Sequence, residues 1–136
     1  MLDKLGEEVK RIIVKELDSR WGGSCYGMSA VVVLSKRGSI NTWEIQSNRY
    51  NLYSITKKNN DAVESIVNYY HMMQYLPKIK NIIGDMKKLP MRQQINKIID
   101  CGEKASTEGK PFLIGFFYKS GGGHAIVGYG RNVVFL

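Results

Sequence analysis

The hydrophobic period of this 136-residue chain changes once, near residue 109, and that change limits what it can fold into. Before it, apolar residues recur every three or four positions, the spacing that gives a helix one buried stripe. Leu2, Leu5, Val9, Ile12, Ile13 and Leu17 predict a first amphipathic helix, stopped by Trp21-Gly22-Gly23. A second opens near Ser24-Cys25 and runs through Met28 and Ala30 to Leu34, ending at Gly38; its nearly unbroken apolar surface predicts burial. Gly38 to Asn60, with Trp43, Tyr50 and Tyr53 among polar residues, reads as a packed loop. Asp61 and Glu64 stand at capping-box spacing ahead of Val63, Ile66, Val67, Tyr70, Met73 and Leu76, a helix that Pro77 ends or kinks. Pro90 suits the first turn of another helix, whose Ile95, Ile98 and Ile99 lead to Gly102.

After residue 109 the pattern is that of strands. Pro111 to Tyr118 is a β run, Lys119 to Gly123 a flexible turn, and His124 to Tyr129 the antiparallel return, with Val133 to Leu136 starting a third strand. The expected fold class is therefore α+β, in a single domain over 1–136: about 1–108 mainly helical and about 109–136 β-rich. An incomplete last strand exposes an edge, so a C-terminal fragment or a second copy is expected to complete the sheet.

Composition removes several classes of function. The net charge of +8 invites a polyanion partner, yet Lys57-Lys58, Lys78 to Lys80 and Lys87-Lys88 are scattered and no aromatic-interleaved basic stripe accompanies them. The expectation is a solvated basic face without nucleic acid. No apolar stretch is long enough for a membrane span, and no signal peptide is evident. Two Cys and two His without close ligand spacing make neither a disulfide scaffold nor a metal site, and no cofactor is implied. Cys101 is expected to be a small, partly buried helical residue and His71 a helix-surface or core residue.

Two segments carry chemistry. Gly22-Gly23-Ser24-Cys25-Tyr26-Gly27-Met28-Ser29 puts a thiol at the first turn of a helix, where unpaired N–H groups and the dipole favour a thiolate. Gly121-Gly122-Gly123-His124 puts an imidazole at the head of a strand, and Cys25 and His124 are 99 positions apart. A thiol needs a neighbouring base, so each residue gains its meaning from the other.

Gly23-Ser24-Cys25-Tyr26 resembles the nucleophile segment of papain-like cysteine peptidases, whose signature has the Ser-Cys-aromatic order. The Cys-Tyr-Gly-Met-Ser run is similar to bacterial members in particular, and Gly123-His124-Ala125-Ile126-Val127-Gly128-Tyr129-Gly130 resembles the family's histidine strand. The resemblance implies a papain-like fold and hydrolysis of peptide bonds in a peptide or protein substrate. Cys25 would form the acyl-enzyme, with His124 as acid and base and the Cys25 N–H as oxyanion donor. It also favours a secreted or cell-surface location.

The chain departs from the family pattern in three places. Ser19 stands where a Gln usually supplies the second oxyanion donor, which makes Ser19 the candidate for that role. The Cys-to-His separation is shorter than the roughly 130–150 residues of papain and the cathepsins. The family's histidine-orienting Asn or Asp would fall about two residues past Leu136, leaving Asn132, in the Gly130-Arg131-Asn132 turn, as a weak orienter candidate. Two alternatives stay open: a leader-peptide-processing cysteine peptidase, and a catalytically weakened module that only binds peptides or proteins.

Overall fold

A computed structural model describes Glu7, Arg11 and residues 24–47 and 61–131. Glu7 and Arg11 are helical; the rest of the first expected helix, the end of the packed loop and the third strand lie outside the described residues. Helix α1, Cys25–Lys36, begins one residue after Ser24 and ends as its glycine requires. Gly38 takes a φ of 74°, donates to the Ser35 carbonyl at 3.0 Å, and lets Ser39 donate to Leu34 at 2.8 Å. These two bonds satisfy carbonyls that the helix end leaves open. A short helix α2, Thr42–Ile45, follows, its first turn capped by Asn41, whose side chain accepts from the Trp43 N–H at 3.1 Å. Trp43 itself is exposed, so the packed-loop expectation fails at that ring: within α2 it is Thr42 that is buried.

Helix α3 spans Asp61–Met73 and helix α4 spans Pro77–Lys88. Asp61, expected as the cap, is itself helical. Pro77 does two jobs: it cannot continue α3, and as the first residue of α4 its missing N–H goes unneeded. Leu76, expected on α3, is the cap of α4.

Helix α5, Met91–Glu108, passes straight through Gly102, the expected stop, and ends at Gly109, whose φ is 64°. Gly102 is buried where a Cβ would sit 3.2 Å from Arg131 Cβ and 3.3 Å from the Gly130 carbonyl oxygen, so it permits a close approach rather than ending a helix. Cys101, about 100° further round the helix, is exposed, against the expectation of partial burial.

Strands β1, Phe112–Phe117, and β2, Gly123–Gly128, form a two-stranded antiparallel sheet. The register pairs Phe112 with Gly128 and Phe116 with His124. Gly121 and Gly122, with φ of 92° and 75°, make the reversal that the glycine run announces. The described residues therefore combine helices with a small antiparallel sheet, broadly an α+β arrangement.

Helix α1 is the hub: it packs on α3 and on both strands, while α5 packs on β1. Among the described residues the buried hydrophobic side chains are small, Val31, Ala105 and Ala125, and Ser29, Thr42 and His71 are buried too. The expected burial of α1 holds for Gly27, Ser29 and Val31, whereas Met28 points outward. At the α1–α3 crossing Gly27 lies directly on the α3 backbone. A Cβ there would stand 2.9 Å from both the Cβ and the N of His71 and would collide with the Val67 carbonyl oxygen.

Candidate active site

Cys25 is the first residue of α1 and is half-buried. The helix ladder begins with the Met28 N–H bonding the Ser24 carbonyl at 2.9 Å, so the N–H groups of Cys25, Tyr26 and Gly27 lie outside it. The Ser24 side chain caps none of them, and no acidic residue occupies the first turn. The positive end of α1 favours an anion beside it. Burial pushes the Tyr26 phenol above its ordinary value, so next to Cys25 it is a neutral group at physiological pH.

His124 is the second residue of β2, and the hydrogen-bond alternation of an antiparallel pair tells which way its neighbours face. The Tyr118 N–H bonds the Gly122 carbonyl at 3.2 Å, so 118 and 122 form a bonded pair. Counting along the register, 116 with 124 is also a bonded pair and 115 with 125 is not. The Ala125 carbonyl therefore points away from β1, off the outer edge of the strand. Ser29 Oγ donates to that carbonyl at 3.0 Å in a buried hydrogen bond.

A second bond fixes the direction in which α1 lies along this edge. Arg37 Nε donates to the Pro111 carbonyl at 3.1 Å, just before Phe112, the partner of Gly128. Ser29 is thus held in the first half of β2 and Arg37 near its far end, so α1 and β2 run in the same direction. The two spans agree: eight helical residues rise about 12 Å and four strand residues about 13 Å. One helical turn back from Ser29, about 6 Å, comes to Cys25; two strand residues back from Ala125 come to Gly123. Cys25 stands level with the Gly123–His124 end of β2.

The His124 ring projects on the opposite face of the sheet from the buried Ala125 side chain, beside Phe116 and Ile126, which are exposed. Among the described residues Cys25 and His124 share no hydrogen bond. Ser19 and Asn132 lie outside the described residues, as do Gly22 and Gly23. Cys101 is on α5 and exposed.

Ser29 has no role in the sequence pattern of the two motifs. The signal was there: a lone hydroxyl one turn after the thiol, in a helix otherwise apolar from Met28 to Leu34. His71, buried at the α1–α3 crossing, lies 3.2 Å from Gln74 Nε2, while the same amide donates to the His71 carbonyl at 2.9 Å. Its ring packs edge-on to Tyr75, which makes it a core residue.

Among the described residues no group of three or more His, Cys, Asp or Glu is gathered as a metal site would need, and no helix is long and apolar enough to cross a membrane. No family model, curated protein or solved structure matches the chain.

Proposed function

We propose that this chain is a papain-like cysteine peptidase that cleaves peptide bonds with Cys25 as nucleophile and His124 as acid and base. The observation that carries the reading is the buried Ser29–Ala125 bond: it ties the helix of the thiol to the strand of the imidazole, one turn from Cys25 and one residue from His124. Two distant segments that resemble one family's motifs are thereby held beside each other, which supports the reading.

In this reading the Cys25 sulfur attacks the carbonyl carbon of the scissile bond while its proton passes to His124. The Cys25 N–H donates to the oxyanion that forms, and Ser19 is the proposed second donor. His124 gives its proton to the leaving amine, then takes one from the water that attacks the thioester, releasing the acid and restoring the thiol. Asn132 is the proposed orienter of the ring.

The absence of a Cys25–His124 hydrogen bond favours one second reading, a peptide-binding module with weakened catalysis. Cleavage of a denatured protein substrate, abolished by Cys25→Ser and by His124→Ala, supports the peptidase. Unchanged peptide binding with no turnover in the parent chain supports the module.

A further inference from the structure

Helices α4 and α5 meet at a fixed bend: the Leu89 N–H bonds the Met86 carbonyl at 3.3 Å, and Gln94 Nε2 donates to the Leu89 carbonyl at 2.8 Å. Both helices carry an apolar stripe, on α4 at Ile79, Ile82, Ile83 and Met86, and on α5 at Met91, Ile95, Ile98 and Ile99, ahead of Gly102 and Ala105. Only the C-terminal end of the α5 stripe is buried, and α4 has no buried residue at all. Ile82, Met86, Met91, Ile95, Ile98 and Ile99 are 36–69% exposed. A protein surface seldom leaves so many large apolar side chains exposed without a partner.

Charge identifies the partner. Between residues 77 and 99 there are six basic residues, Lys78, Lys80, Lys87, Lys88, Arg92 and Lys97, and one acid, Asp85. At about 100° per residue, Lys78 and Arg92 fall roughly 80–90° from the centre of their own stripe, at its borders, as does Lys87, whose Nζ lies 3.6 Å from the centroid of the Phe117 ring; Asp85, Lys80, Lys88 and Lys97 fall further round. Long cationic side chains bordering an exposed apolar stripe suit a helix that lies in a lipid headgroup layer, with its isoleucines below and its cations on the phosphates. A second copy of the same face would set like charges together, and a nucleic acid would leave the isoleucines in water.

We propose that the α4–α5 face docks on an anionic lipid bilayer surface, as a peripheral contact independent of the Cys25–His124 site. The test is co-sedimentation of the full chain with vesicles of equimolar phosphatidylglycerol and phosphatidylcholine, beside phosphatidylcholine alone. Binding to the anionic vesicles is expected, weakened by salt. Lys78→Gln with Arg92→Gln should lower partitioning about 30-fold, taking about fivefold per basic residue. Ile82→Gln with Ile95→Gln, both exposed and so compatible with folding, should lower it about tenfold for each isoleucine. No enrichment on anionic vesicles overturns the proposal, as does binding that ignores the isoleucine pair, which marks bare charge attraction. Retention on polyuridylate that also ignores the isoleucine pair, without vesicle binding, would mark a nucleic-acid face and overturn it too.

Discussion

Replacing Gly27 by alanine should destabilise this protein, although the same change inside a helix ordinarily stabilises it. Alanine's higher helix propensity is worth about 1 kcal/mol. Against that gain stands the α1–α3 crossing, where the new methyl would meet His71 Cβ and N at 2.9 Å and press harder still on the Val67 carbonyl oxygen. Carbon atoms in good contact lie about 3.5–4.0 Å apart, and backbone atoms cannot rotate aside as a side-chain tip can. The helices must therefore separate by several tenths of an ångström or more, and overpacking of that kind costs about 1–3 kcal/mol. With backbone on the receiving side the upper part of that range applies, leaving a net loss of about 2 kcal/mol. Gly84, in α4, is the internal control, since a Cβ there meets nothing within 4 Å and Gly84→Ala should gain about 1 kcal/mol. Urea unfolding of the two variants beside the parent reads both signs in one experiment, and thermal midpoints should move in opposite directions by roughly 3–5 °C per kcal/mol. If Gly27→Ala is as stable as Gly84→Ala, α1 does not cross α3 at Gly27.

Two further perturbations probe the site. Ser29→Ala leaves the buried Ala125 carbonyl without its donor, a loss of about 1–3 kcal/mol by urea unfolding; a change below about 0.3 kcal/mol would show that the bond does not hold helix to strand. Because burial raises the Tyr26 phenol's pKa, the unfolded chain gives up that proton first as pH climbs through about 10, so stability contributed by the neutral phenol is complete below that pH and declines above it. Urea midpoints measured from pH 8 to 11 should fall at the alkaline end and fall less in Tyr26→Phe; identical profiles would count against burial of the phenol.

Punctuation residues made much of the fold legible. Gly38 and the Ser24-Cys25 step bound α1 to within a residue or two, and Gly121-Gly122 announced the reversal between the strands, because positive φ is something glycine alone adopts freely. Gly102 misled for the same reason: a glycine that ends a helix and one that lets another backbone approach look alike in sequence, and only Gly109 with its left-handed φ distinguishes them. Pro77 was legible as a boundary but not as the start of α4, since a proline that stops one helix is equally suited to open the next. Periodicity named the apolar stripes of α4 and α5 without telling whether anything covers them, and Cys101, expected partly buried, turned out exposed. At the site, the types and order of Cys25 and His124 were visible in the chain, but their relative level was not. That level depends on Ser29 and Arg37 reaching carbonyls 96 and 74 positions away, long-range contacts that no local pattern encodes.

The central claim is that Cys25 and His124 act as one unit, and alkylation tests it most directly. The full chain is treated with iodoacetamide from pH 5 to 9 and modification of each cysteine is followed by peptide mass spectrometry, with exposed Cys101 as the reference thiol in the same molecule. The account predicts that at neutral pH Cys25 is alkylated much faster than Cys101, and that His124→Ala slows Cys25 while leaving Cys101 unchanged. Alkylation of Cys25 that parallels Cys101 at every pH and is indifferent to His124→Ala would contradict it.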